Sequence, residues 1–159
     1  MAAGPLPHYF VAPMATTPLK LTATDPDDMT VISACLQDAV TIASEVNYLP
    51  RERRFAAVFS RFRWEDHHQD GAKRWVRAGV HFNGVLGVQQ RDMSRSADQV
   101  LELLAIAATP GADGSASVRL DFAGGSSVRL QVECIDCALT DIGEPWVGRR
   151  LPTHPIDKG

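Results

Sequence analysis

The chain has 159 residues, 45% of them hydrophobic and 22% charged, with a formal net charge of −3. That is one ordinary domain, large enough to bury roughly 70% of its unfolded surface around a single core. The acidic balance excludes a general polyanion binder, since affinity for nucleic acid rests on an excess of Lys and Arg facing phosphates; a local basic patch stays open.

No apolar run reaches the roughly 20 residues that a bilayer-spanning helix needs. Three cysteines, an odd number, make no disulfide framework, and reduced, partly buried thiols suit a cytoplasm. Residues 1–17 lack a basic start and a long apolar segment, so they read as a Pro-rich, mobile lead-in rather than a signal peptide, with Met14 as well as Met1 available as a natural start.

Ordered sequence begins with a short strand over Leu19 to Thr24, with Leu19, Leu21 and Ala23 on one face. Asp25-Pro26-Asp27-Asp28 then opens a helix: an acceptor side chain at the N-cap, proline in the first turn and two carboxylates favoured by the helix dipole. Met29, Ile32, Leu36 and Ala39 follow at helical spacing with Cys35 at the edge of the stripe, predicting a helix over about residues 26 to 38. From Val40 the period becomes two, and Val40, Ile42, Val46 and Tyr48 share one side of a strand.

Pro50 to Arg53 makes a turn, and Arg54 to Trp64 returns with Phe55, Ala57 and Phe59 facing inward. Beyond Ser60, Arg61 and Arg63 occupy the parity of the phenylalanines while Phe62 and Trp64 take the opposite one. A bulge near Ser60, or a strand end leaving the core, would explain the slip. Glu65 to Ala72 reads as a polar loop, and Arg74 to Phe82 as the next strand. Asn83-Gly84 is a two-residue hairpin signal, returning a strand from Val85 to Gln90. Leu101 to Thr109 is apolar at nearly every position and ends in Pro110-Gly111, as a central strand buried on both faces does; a helix from Ala97 to Ala108 also fits its Leu and Ala content.

The most legible stretch is Ser117 to Ile135. Val118, Leu120 and Phe122 alternate with polar residues on one arm, and Val128, Leu130, Val132 and Cys134 on the other. Directly opposed residues share a face, so the apolar sets meet only across a loop with an odd number of residues. A loop of Ala123, Gly124 and Gly125 puts Gly125 where a left-handed residue is required and pairs Leu120 with Val128 and Val118 with Leu130. It also sets Arg119 opposite Arg129, with a diagonal contact from Asp121 to Arg129. After Cys134 the parity flips to Ile135, Cys137 and Leu139, marking a bulge or bend. The tail from Gly143 is irregular, with Trp146 the side chain suited to pin it.

Candidate chemistry is sparse. Cys134 and Cys137 form C-x-x-C, but residues three apart on a strand point to opposite faces and no second ligand pair follows, so they read as structural cysteines, neither a metal nor a redox site. Glu65, Asp66, His67, His68 and Asp70 read as a solvated loop rather than a metal centre. No nucleophile stands in a recognisable arrangement with a histidine, and no phosphate-binding glycine motif is present, so no catalytic residue and no cofactor are assigned. The most suggestive constellation is arginine interleaved with aromatic rings: Arg54, Arg61, Arg63, Trp64, Arg74, Trp75 and Arg77, with His81 on the same strand as the last three. Such a surface suits an acidic protein or an RNA strand, through charge-assisted contacts and stacking, and calls for neither a membrane nor general DNA binding.

The segments L-K-L-T-A (19–23), L-Q-D-A-V (36–40), Y-L-P (48–50), R-R-F (53–55), R-F-R-W-E (61–65), L-L-A-I (103–106), F-A-G-G (122–125), V-E-C-I (132–135) and L-T-D-I-G (139–143), with His154-Pro155 in the tail, resemble an uncharacterised family of short alphaproteobacterial proteins, a domain of unknown function. The resemblance spans about residues 18 to 155 and implies a bacterial, cytosolic, single-domain protein; it brings no activity, cofactor or site residue.

The expectation is an α+β domain over residues 18–143 between the lead-in and an extended tail at 144–159 packed on it. One N-terminal helix packs on a bent antiparallel sheet of seven or eight strands, barrel-like or two-layered, with the pleckstrin type a relative by strand count alone. The leading functional expectation is a non-enzymatic interaction module using the Arg and Trp surface. The other is a ligand-binding or enzymatic pocket at a barrel mouth near His81, His67 and His68.

Overall fold

The computed structural model describes residues 17–94 and 96–148. Two helices and ten strands form an α+β fold around one curled antiparallel sheet. The chain runs β1 (Lys20–Ala23), α1 (Pro26–Cys35), β2 (Val40–Ile42), β3 (Val46–Leu49), β4 (Arg54–Phe62), α2 (Trp64–Asp70) and β5 (Arg74–Phe82). It continues through β6 (Val85–Arg91), β7 (Val100–Pro110), β8 (Ala116–Phe122), β9 (Ser127–Val132) and β10 (Cys137–Val147). The strand order is β1-β10-β5-β4-β2-β7-β8-β9-β6, with β3 beside β4. The order does not return on itself, so the expected barrel-like closure is not made, and the sheet has ten strands rather than seven or eight.

The sheet has two halves. In the first, β4 pairs with β5 and β5 with β10; in the second, β8 lies between β7 and β9, and β9 pairs with β6. Short β2 joins them, pairing with β4 at Val40 and with β7 along Val40–Ile42. The predicted single strand after the first helix is broken by a turn at Ala43–Glu45, so that β2 and β3 lie end to end along one edge of β4.

Helix α1 starts as its sequence dictates: the Asp25 carboxylate accepts from the Asp28 amide at 2.8 Å, and Asp28 reciprocates from the Thr24 amide at 3.0 Å. It stops at Cys35, short of residue 38, because Asp38 turns left-handed at φ 64° and gives its amide to the Leu103 carbonyl. Met29, Ile32 and Leu36 join Phe55, Phe59, Leu101 and Leu130 in the core.

The β8–β9 hairpin takes the predicted register, with Leu120 opposite Val128, Val118 opposite Leu130 and Arg119 opposite Arg129. Gly124 and Gly125 both turn left-handed, at φ 88° and 96°. Asp121 departs from expectation: it accepts from Arg119 Nε at 2.9 Å on its own strand instead of reaching diagonally to Arg129.

The second predicted hairpin is not one. A two-residue turn of this kind needs φ > 0 at both central residues, and only Gly84, at 67°, has it. Strands β5 and β6 therefore do not pair. The chain crosses between the halves there, with the Val85 amide bonded to the Arg53 carbonyl and the Glu133 amide to that of Gly84. Strand β7 is a strand, as read, but it is not buried on both faces. A bulge between Leu103 and Ala105 shifts the buried set from Leu101 and Leu103 to Ile106 and leaves Leu104 half-buried on the groove side.

The parity flip after Cys134 is a bend between β9 and β10. Strand β10 pairs with β5 as far as Ile142 and resumes at Trp146, so the sheet extends past residue 143 to Val147. Trp146 is 44% exposed and stands opposite Trp75 in the ladder, and Gly148 lies against the Trp75 indole. The predicted lead-in up to residue 16, and the tail beyond Gly148, lie outside the described residues.

Candidate functional site

Arg61 and Arg63, expected on an outer surface, are buried. No bulge interrupts β4 at Ser60: its register with β5 is continuous from Phe55↔Phe82 to Phe62↔Trp75, so Arg61 keeps the inward parity of Phe55, Ala57 and Phe59. It is fully buried. An unpaired charge there is prohibitive, and the chain supplies two partners. Arg61 Nε and Nη2 donate to the two Asp141 oxygens at 2.8 and 2.9 Å; Nη1 and Nη2 donate to the two Glu65 oxygens at 3.0 and 2.7 Å. Arg63 clamps Asp66 at 2.6 and 3.2 Å and shares Asp141 at 3.2 Å. Arg74 closes the set on Asp66 at 3.3 Å.

Three guanidinium groups thus meet three carboxylates. Glu65 and Asp66 are aimed by α2, which replaces the predicted polar loop. Its acidic first turn suits the positive end of the peptide dipoles, and Gly71, left-handed at φ 77°, ends it. Burial disfavours the charged form of Glu65, but the bonds and charge of Arg61 prevail and hold its carboxyl below the usual carboxylate range. Burial likewise opposes the charge on Arg61, which its bonds to Glu65 and Asp141 reinforce. Asp141 also accepts from the Leu19 amide at 2.9 Å, so the network fastens β1 to β10.

The other predicted surface residues are dispersed. Phe62 is buried beneath Trp64, Trp75 and His67, with ring centroids 4.7, 5.4 and 5.7 Å away, so both half-buried tryptophans serve a local aromatic cluster. Arg77, exposed, is paired with Glu45 at 2.7 Å, and Arg54 donates to Asn83 at 3.1 Å. His81 is half-buried opposite Ala56, six strand residues, or about 20 Å, from the Phe62↔Trp75 pair beside which His67 lies. The histidines do not converge.

Cys134 is exposed and Cys137 buried, its thiol pushed up to about 12 by burial and then by the charge of Asp136. Among the described residues no group of three His, Cys, Asp or Glu side chains stands close enough to hold a metal ion.

The outer face of the second half carries a different arrangement. Cross-strand pairing sets Gln89, Arg129 and Arg119 in one row and Arg91, Ser127 and Asp121 in the next. With Leu104, they line an open groove of about 820 Å³. Three arginines share it with one carboxylate, that of Asp121, which is engaged by Arg119. Arg91 and Arg129 form no ion pair among the described residues and lie exposed to solvent. Like charges directly opposed across a ladder repel, so the Arg119/Arg129 pair weakens the hairpin that carries it.

A family model described as a protein of unknown function, DUF2948, matches residues 19–154, nearly all of the described chain. The chain belongs to this family. No curated protein and no solved structure matches it. Membership in DUF2948 assigns no chemistry, so the site rests on geometry alone. Sequence reading placed Arg119 opposite Arg129, with a diagonal contact from Asp121, within a single hairpin. What it missed was the neighbour: only the pairing of β6 with β9 brings Gln89 and Arg91 alongside and makes a groove of a hairpin face.

Proposed function

We propose that this DUF2948 chain is a non-enzymatic binding module that receives an acidic partner on the outer face of β6, β9 and β8. The observation that carries the reading is the directly opposed Arg119 and Arg129, joined by Arg91 in a groove with a single carboxylate. Elsewhere the protein pairs its buried arginines one for one with carboxylates. On a chain of net charge −3, this groove is a local reversal of sign. An anionic partner supplies the missing countercharge and removes the repulsion across the hairpin. We place the module in a bacterial cytoplasm, a setting that its three free thiols suit.

The direct test is titration of the full chain with a labelled polyglutamate probe at low and high salt, beside the Arg119→Ala/Arg129→Ala double variant. Salt-sensitive binding that the double variant abolishes is the expected result. Binding left intact by the double variant, or no binding of any polyanion, sinks the proposal.

A further inference from the structure

The groove is specific about which kind of anion it suits. Single-stranded nucleic acid is held by a basic track together with exposed rings on which bases stack. Among the described residues, the one ring in the groove wall is that of Phe122, which is buried. The tryptophans lie in the other half, Trp64 and Trp75 packed on Phe62 and the exposed Trp146 opposite Trp75 in the ladder. The groove instead offers what a peptide needs. Arg129 and Arg91 present planar forks for carboxylates, Gln89 carries an amide that both donates to and accepts from a main chain, and Leu104 gives one apolar foothold.

Magnitudes point the same way. Exposed arginine–carboxylate contacts are each worth about 0.2–1 kcal/mol, so three of them alone make a feeble complex. An apolar contact has to accompany the charges. Neighbouring rows of the sheet lie about 7 Å apart and neighbouring strands about 4.8 Å. Alternate residues of an extended peptide, about 7 Å apart, match the step from the row of Arg129 to that of Arg91.

From this, and resting on the reading above that the groove binds an acidic partner, we infer that the partner is an extended peptide with acidic residues at alternate positions beside an aliphatic side chain. Arg129 is its main anchor, because Arg119 is held by Asp121. Asp121 then acts as an internal competitor that sets the affinity.

The inference is tested by fluorescence anisotropy on the full chain with two probes: a labelled peptide in which aspartates alternate around a leucine, and a short single-stranded RNA. The peptide is expected to bind, Arg129→Ala to weaken it about tenfold, and Asp121→Asn to tighten it about threefold. A merely structural Asp121 would not produce that gain. If RNA binds through Arg129 and the peptide does not, the peptide inference falls while the anion-binding groove stands. If neither probe binds, both fall. Unchanged affinity on replacing the peptide leucine by serine overturns the role given to Leu104.

Discussion

Two clusters of arginine in one molecule are treated in opposite ways. Around Asp141, Arg61 and Arg63 lie out of water, and every guanidinium is matched by carboxylates at hydrogen-bond distance. On the face of β8 and β9, Arg119 and Arg129 stand in solvent, opposed to each other, and the nearby Asp121 carboxylate engages Arg119 alone among the two. Burial compels charge balance, because an ion withdrawn from water must be compensated locally. Exposure tolerates imbalance, because water screens it. The first cluster is therefore architecture, and only the second retains charge to offer a partner.

The largest effect that would break this comparison is removal of the carboxylate at the centre of the buried cluster. Asp141→Ala leaves Arg61 and Arg63 under-compensated and is expected to destabilise the fold by about 3–5 kcal/mol, read from urea unfolding. A change near zero would mean that the cluster is open to water. The matching substitution in the groove, Arg129→Ala, is expected to change stability by about 0.5 kcal/mol or less, with a gain the favoured direction because it relieves repulsion.

Acid sharpens the contrast. In the fold Glu65 titrates below its ordinary 4.5, so near and below that value the unfolded chain binds more protons than the folded one. Its stabilisation is complete above about pH 4.5 and is lost as pH falls through the depressed folded value. Unfolding midpoints measured against pH should fall in acid for the parent and less steeply for Glu65→Gln; equal slopes would contradict the assignment.

The smallest effect is kinetic. Cys134 is exposed, whereas the Cys35 thiol is pushed up by burial, an effect that the charge of nearby Arg61 opposes, and Cys137 is buried with its thiol near 12. Thiol alkylation followed by mass spectrometry should modify Cys134 first, Cys35 slowly and Cys137 only on unfolding.

Local rules read some elements well. The Asp25-Pro26 start of α1 and the Ala123–Gly125 turn rest on neighbours in sequence: a cap within three residues, alternation that demands an odd loop, and a glycine where the left-handed residue falls. They failed where a short-range cue met a long-range choice. Asn83-Gly84 reads as a hairpin, but both edges of β5 are already taken by β4 and β10, so β6 goes to β9. Arg61 reads as a defect in its strand's pattern because Asp141, its partner, is 80 residues away. The Trp64–Asp70 segment reads as strand end and loop because its seven residues are few for an isolated helix; α2 is held by the arginines that its acidic first turn neutralises.

By itself the sequence determined the α+β class, the alternation that gives most strands an inner and an outer side, and the opposed arginines of the β8–β9 hairpin. Tertiary structure alone decided which arginines are sealed inside and which face water. Pairing between distant strands sets which side chains become neighbours, and a charge is permitted in the interior only where such pairing delivers its counterion.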